Sequence, residues 1–137
     1  MVLAYNDLFG IDDPLAAALS SGFGGGMGRM REVCGSVSGM VMLCGLACPA
    51  DDPSSKEGRT RNYAMVQDVA GKFRDINGSI VCKELLGLVP SGTVSAAPAE
   101  SPEPSERTPE YYKKRPCEEL VGISARIIGE KLMEMSR

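Results

Sequence analysis

The sequence predicts an all-α fold, a small helical bundle of about five helices with a glycine-rich loop before the central helix. Three observations lead to this prediction. Apolar residues recur every three or four positions in several segments, no stretch alternates apolar and polar residues as a half-buried strand does, and no internal repeat is present. With 137 residues, 43% of them hydrophobic, the chain can bury one core, so residues 1–137 are predicted to form a single domain.

The first two helices are predicted on either side of the glycine-rich loop. Asp13 is the expected N-cap of the first helix, with Pro14 at its first helical position. Five glycines within residues 22–28 end that helix, because glycine allows positive φ and close approach to a neighbouring helix. The central helix is expected over residues 30–48, ended by Pro49.

Three further helices follow. Helical periodicity over residues 55–76 predicts a long amphipathic helix, which Asn77 and Gly78 should terminate. Ser79 is the expected cap of a short helix carrying Cys82. The last helix is expected from residue 116 onward.

Residues 89–110 are predicted to form a flexible linker inside the domain, before the C-terminal helix. This segment holds five of the nine prolines and few side chains that a core could bury.

Charge and length argue against two kinds of partner. The net charge of -3 and the isoelectric point near 5.0 give no general attraction to nucleic acid or anionic lipid. The uncharged run over residues 33–48 is shorter than the roughly 20 residues that span a bilayer. We therefore expect neither nucleic-acid binding nor a membrane span. The N-terminus lacks the pattern of a cleavable signal, and the five cysteines are an odd number, so a cytoplasmic location is expected.

Several kinds of site are disfavoured by missing residues. The sequence contains no histidine, which removes Cys/His catalytic pairs and Cys₂His₂ zinc sites. It contains no C-x-x-C motif of the thioredoxin or zinc-ribbon type. The run GFGGGMG lacks the lysine and hydroxyl residue of a P-loop, and no strand is predicted beside it for a dinucleotide fold.

The cysteines give the sharpest functional prediction. Cys34, Cys82 and Cys117 each fall about one turn into a predicted helix, with basic residues close in sequence. Helix N-termini and cationic neighbours favour the thiolate, which is the form that attacks disulfides or binds metals. The alternative is that they are only small buried residues of a helical binding or assembly module. Cys44 and Cys48 are predicted to belong to the core.

The glycine-rich loop suggests a second binding feature. Free N–H groups at the start of a helix, next to arginine side chains, can hold an anion or surround a negatively charged cluster. The residues predicted for this role are Gly24, Gly25, Gly26, Gly28 and Arg29.

Three motifs resemble a known family. They are SGFGGGMGRMREVCGSVSG, NGSIVCKELLG and the PCEELV that begins at residue 116. Together they are similar to the downstream motifs of the C_GCAxxG_C_C family of small redox-active prokaryotic proteins, which is related to the cysteine-rich domain of split-Soret-type cytochromes. The resemblance implies a helical fold, a redox or iron–sulfur role, and Cys34, Cys82 and Cys117 as three of four characteristic cysteines. Without histidine, haem is not implied.

The chain departs from the family pattern at two points. Ser36 stands where the C-G-A-x-x-G motif has alanine, and the family's first cysteine would lie in a helix before Met1. The resemblance therefore implies that this ligand is absent or that the native protein has a cysteine upstream. Three cysteines could act as a dithiol/disulfide pair with one spare, bind a single metal ion or iron–sulfur cluster completed by a carboxylate or water, or share ligands in a homodimer. A redox role also implies a partner protein, which these residues leave unidentified, and whether the chain is an enzyme stays open.

Overall fold

The computed structural model describes residues 1–90 and 100–137, and these residues form an all-α structure without a β-sheet, which confirms the predicted fold class. Short 3-10 segments occupy Val2–Ala4, Asn6–Phe9 and Ser21–Phe23. The α-helical elements are α1 (Asp13–Ser20), the glycine turn α2 (Gly24–Met27), α3 (Gly35–Ala47), α4 (Lys56–Asn77), α5 (Cys82–Leu85), α6 (Pro109–Lys113) and α7 (Cys117–Met135).

The core lies where α3, α4 and α7 pack against one another. Their largest completely buried side chains are Met40 and Leu43 of α3, Phe73 of α4 and Ile128 of α7. Phe73 and Ile128 sit on the apolar stripes that the helical periodicity predicted for α4 and α7. The three-helix core fixes one end of α3 and of α7, which is where two of the predicted site cysteines are located.

The cap of α1 is one residue earlier than predicted. Asp12 is the N-cap, and its Oδ1 accepts a hydrogen bond of 2.8 Å from the Leu15 amide. Asp13 is already helical, and its Oδ1 instead accepts a bond of 2.9 Å from Nδ2 of Asn6. Two adjacent aspartates can exchange these roles, which local sequence does not distinguish.

The central helix α3 begins at Gly35, five residues later than predicted. The reason is that Met27, Arg29 and Arg31 have positive φ values of 66°, 66° and 59°, which no α-helix can contain. The chain then extends, and Val33 pairs with Val81 in an isolated antiparallel bridge.

The predicted end of α4 at Gly78 is confirmed, and the structure adds an N-cap at Ser55. The Ser55 hydroxyl accepts a hydrogen bond of 3.0 Å from the Gly58 amide, and Gly78 ends the helix in the left-handed conformation. The next cap differs, because α5 begins only at Cys82 and its N-cap is Val81. Ser79 instead bonds the Val81 amide and the Glu84 carboxylate, which shapes the turn before α5.

Part of the predicted linker, residues 91–99, lies outside the residues that the structure describes. Residues 100–108 have no regular structure, and α6 follows them. The sequence prediction missed α6, although Thr108 and Pro109 are a strong local signal for a helix start. The Thr108 hydroxyl accepts a hydrogen bond of 3.2 Å from the Tyr111 amide.

Among the helices of the described ranges, none combines the length and the apolar character that crossing a lipid bilayer requires.

Candidate functional site

The three cysteines predicted for the site line one cavity of about 690 Å³. Cys34 immediately precedes α3, Cys82 is the first residue of α5, and Cys117 is the first residue of α7. Three helix starts therefore converge on the same space. Polar, aromatic and charged side chains on its wall include Arg31, Ser36, Arg107, Tyr111, Tyr112 and Glu118.

Backbone pairing brings Cys34 and Cys82 together. Residues 31–34 run antiparallel to residues 80–83, with the Cys34 amide 2.8 Å from the Ile80 carbonyl oxygen and the Cys82 amide 2.6 Å from the Glu32 carbonyl oxygen. Both cysteines flank the Val33–Val81 bridge, so their side chains lie on the same face of this short ribbon. Diagonal neighbours of this kind have Cα atoms about 7–8 Å apart.

The glycine-rich loop packs directly against Cys82. Gly26 has φ +71°, and a Cβ added there would lie 2.6 Å from Cβ of Cys82 and 2.8 Å from the Glu32 amide nitrogen. Only glycine allows both this conformation and this approach. Gly24, Gly25 and Gly26 line the cavity, whereas Gly28 and Arg29 are not among its lining residues in the described chain.

Some of the N–H groups that the sequence predicted to be free are used inside the loop. The amides of Gly28, Arg29, Arg31 and Glu32 donate to carbonyl oxygens of residues 22, 24, 25 and 26 in turn. The amides of Gly28 and Arg29 are therefore not free to hold an anion, and a role for Gly24, Gly25 and Gly26 in anion binding stays a prediction. The loop's glycines serve to fold it back on itself.

Arg31 of the loop lines the cavity that contains Cys34 and also contacts Cys82. Nη1 of Arg31 lies 3.9 Å from Sγ of Cys82, and the Arg31 side chain is almost completely buried. Nη2 of Arg31 and Nη2 of Arg29 contact the same carboxylate oxygen of Glu100, at 2.6 Å and 3.0 Å. The hydrogen bond with Arg31 lowers the pKa of the Glu100 carboxyl and raises the pKa of the Arg31 guanidinium.

Burial opposes ionisation of two site thiols. It raises the pKa of Cys82 despite the opposing hydrogen bond and charge of Arg31, and it raises the pKa of Cys117 despite the charge of Arg115. The prediction that helix N-termini and basic neighbours would favour these two thiolates was therefore wrong, because desolvation outweighs both effects. The nearby Cys34 thiolate raises both pKa values further, so Cys34 interacts with both other thiols.

Cys34 occupies the N-cap position of α3 and is half-buried. Its Sγ lies 3.1 Å from Oγ of Ser36, the residue that replaces the alanine of the family motif. When the thiol is ionised, Ser36 is the donor, because a thiolate can only accept. Gly35 keeps this turn tight, since a Cβ there would lie 2.7 Å from the Phe23 carbonyl oxygen.

The remaining cysteines lie away from the cavity. Cys44 is completely buried in the core, as predicted, and Cys48 is half-buried and packs against the core. Burial, with a smaller contribution from Cys48, raises the pKa of the Cys44 thiol from 9.0 to about 11.

The raised pKa of Cys44 predicts a loss of stability in alkali. The neutral thiol stabilises the fold fully below pH 9, and this contribution is lost as pH rises through the folded-state pKa of about 11. Between pH 8 and pH 10 the free energy of unfolding should fall by about 1 kcal/mol more than in Cys44→Ala. Urea titrations of both proteins at the two pH values measure this difference, and an equal fall in both would contradict it.

The thiols as placed do not fit a metal centre. In residues 1–90 and 100–137 no three Cys, Asp or Glu side chains come close enough together to hold a metal ion. Shared ligation needs all donors within about 2–2.5 Å of one ion. The cavity is therefore a site of three neighbouring thiols, and the ligand role of Cys34, Cys82 and Cys117 stays a prediction.

Comparison with known proteins gives one match. The family model described as "Putative redox-active protein (C_GCAxxG_C_C)" matches residues 1–131. No curated protein and no solved structure matches the chain.

Proposed function

Because the chain belongs to the C_GCAxxG_C_C redox-active family, we propose that it transfers electrons by thiol–disulfide exchange, with Cys34 and Cys82 as the reacting pair. The observation that supports this pair is the antiparallel pairing of residues 31–34 with residues 80–83, which holds both thiols on one face. A disulfide needs Cα atoms about 4.4–6.8 Å apart, so diagonal neighbours at about 7–8 Å must move closer together before the bond can form.

Cys34 is the attacking thiol. It is more exposed than Cys82, and it sits at the start of a 13-residue helix whose unpaired N–H groups favour a negative charge. The Ser36 hydroxyl can donate to the thiolate. Cys34 thus has the access and the charge stabilisation that a nucleophile requires.

Cys82 is the resolving thiol. Its burial keeps it protonated and protected until Cys34 carries a mixed disulfide. Arg31 then stabilises the thiolate as Cys82 loses its proton, because the guanidinium lies 3.9 Å from the sulfur.

The exchange is balanced in two steps. The Cys34 thiolate attacks one sulfur of a partner disulfide, forming a mixed disulfide and releasing one thiol of the partner. The Cys82 thiolate then attacks Sγ of Cys34, forming the protein disulfide and releasing the second thiol. Two electrons pass from the protein dithiol to the partner, and the protons of the two protein thiols end on the two released thiols.

Cys117 is the third thiol at the cavity and stays reduced in this scheme. It interacts electrostatically with Cys34, but no hydrogen bond among those described ties its backbone to residues 31–34. Metal or iron–sulfur binding by the three cysteines is the competing proposal from the family resemblance. The exchange mechanism does not require a bound metal or cluster. Iron and acid-labile sulfide analysis of anaerobically purified protein tests metal binding separately.

One stoichiometric experiment tests the exchange. Reduced protein in excess is mixed anaerobically with dithiodipyridine, a neutral disulfide whose released thione is followed by absorbance. Resolution by a second cysteine releases two thiones for each disulfide consumed. Release of one thione, with a mixed disulfide that persists, contradicts a dithiol mechanism, and no release at all indicates cysteines that serve only packing.

A further inference from the structure

We propose that Arg29 and Arg31 form a binding site for a carboxylate group of a small disulfide substrate, and that Glu100 of this chain occupies the site in the resting protein. The inference rests on the proposed exchange function and adds the charge and chemical class of the substrate. It assigns to the two arginines a role that packing and fold do not require.

The two guanidinium groups converge on one carboxylate from a distant part of the chain. Nη2 of Arg31 and Nη2 of Arg29 both contact Oε2 of Glu100, across 69 and 71 residues of sequence. The Arg31 side chain is 6% exposed and the Glu100 side chain 35% exposed. The Arg31 guanidinium is therefore fixed inside the protein, whereas the Glu100 carboxylate is partly exposed and can be replaced by a carboxylate from solvent.

Glu100 does not satisfy the arginines. Nε of Arg29 and Nε of Arg31 are both buried, and neither has a hydrogen-bond partner among the described residues. A buried donor of a charged group that is left unpaired loses the hydrogen bonds it would make to water and destabilises the fold. Each guanidinium presents five N–H donors in a planar fork that matches both oxygens of a carboxylate, and Glu100 contributes one oxygen to the pair. A ligand carboxylate that contacts both guanidinium groups would accept hydrogen bonds from N–H donors that have no partner among the described residues.

The backbone that carries the arginines is strained. Arg29 and Arg31 have φ values of 66° and 59°, a left-handed conformation that is unfavourable for a residue with a Cβ atom. Hydrogen bonds from their amides to Gly24 and Gly25 hold the strain in place. Because residues 29 and 31 share this turn, both guanidiniums reach the same point. Strained backbone of this kind persists only where surrounding contacts hold it in place. Such residues are found preferentially at ligand-binding and active sites.

The position of the pair links it to the thiols. Arg31 lines the cavity that contains Cys34, Cys82 and Cys117, and its other terminal nitrogen faces the sulfur of Cys82. A substrate whose carboxylate replaces Glu100 would therefore be held next to Arg31, a residue that the cavity and the Cys82 sulfur share. The internal occupant is a carboxylate, so a carboxylate-bearing disulfide is the ligand class that the site favours. The reaction stays the exchange described above, in which this disulfide receives two electrons and leaves as two thiols.

The test compares two disulfide probes in several variants. Dithiobis(nitrobenzoate) carries a carboxylate on each half, and dithiodipyridine carries none. For each protein the rate constant with the anionic probe is divided by that with the neutral probe, so that a change in intrinsic thiol reactivity cancels. Peptide mass spectrometry of the first adduct identifies the reacting cysteine.

Removing the internal carboxylate in Glu100→Gln should raise this ratio about fivefold, because the anionic probe no longer competes with it. Arg29→Gln should lower the ratio about tenfold, since it removes half of the site without touching Cys82. Glu103→Gln, an exposed carboxylate of the same segment, is the matched control and should leave the ratio unchanged.

An unchanged ratio in either Glu100→Gln or Arg29→Gln overturns the inference, and so does an equal rise in Glu103→Gln. Failure of the exchange function looks different. If the exchange function fails, the unsubstituted protein releases one thione per dithiodipyridine consumed. This outcome does not depend on the ratio of the two rate constants in the variants.

Discussion

Replacing Cys34 by serine should abolish disulfide exchange, lowering the initial rate of thione release from dithiodipyridine at least about 100-fold. The reason is that a serine hydroxyl is not ionised near neutral pH and cannot attack a disulfide sulfur. The substitution is nearly isosteric at a half-buried position, so folding should be retained. Circular dichroism and a thermal melt verify this before the kinetics are compared.

Two variants control the Cys34 result. Cys48→Ser changes a half-buried cysteine beyond the other end of α3, away from the cavity, and should leave the rate unchanged. Cys82→Ser should retain the first attack but release one thione per disulfide and trap the mixed disulfide on Cys34. If Cys34→Ser retains the full rate while Cys82→Ser or Cys117→Ser loses it, Cys34 is not the nucleophile.

Gly26→Ala should lower the free energy of unfolding by about 2–5 kcal/mol, a large share of the stability of a small domain. Two costs add here. Alanine at φ +71° is strained by about 1–2 kcal/mol, and its Cβ would lie 2.6 Å from Cβ of Cys82 and 2.9 Å from Cα of Arg31. Relieving this overlap must move α5 or the loop, at a further cost of about 1–3 kcal/mol. Urea denaturation at neutral pH measures the change.

Gly28→Ala is the matched control for Gly26→Ala. Gly28 has a similar φ of +59°, but a Cβ there meets no atom within 4 Å. This variant should therefore lose only the backbone cost of about 1–2 kcal/mol. Equal losses in the two variants would show that the close packing of the loop on Cys82 contributes nothing to stability.

Local sequence signals were sufficient for much of the fold. The periodic apolar stripes of α4 and α7 and the cap at Gly78 follow from interactions within a few residues, which is why the pattern predicts them. The start of α6 at Thr108 and Pro109 carried the same kind of signal, and the proline-rich composition around it obscured it.

The candidate site was less predictable because long-range contacts form it. The pairing of residues 31–34 with residues 80–83 joins segments about fifty positions apart. It occupies residues that were expected to form the first turn of the central helix. The contact of Arg31 with Glu100 depends on a residue from the predicted linker. The pKa of Cys82 depends on its burial, which the helix-start position does not reveal.

The loop shows how a glycine-rich run can mislead. Five glycines near two arginines suggested a backbone anion cradle, yet several of the amides are used inside the loop and the arginine side chains pair with Glu100. Glycine is required most strictly at position 26, because Gly26 has a positive φ and also packs directly against Cys82. Composition indicates that such a loop turns tightly, but only the fold shows which neighbour it approaches.

Identification of the disulfide in the oxidised protein tests the central claim most directly. Reduced protein is oxidised with one equivalent of dithiodipyridine, the remaining thiols are alkylated at low pH, and the peptides are analysed by mass spectrometry without reduction. The exchange mechanism predicts a peptide pair linking Cys34 to Cys82, with Cys117 alkylated. A disulfide from Cys34 to Cys117, or three alkylated site cysteines, would contradict it.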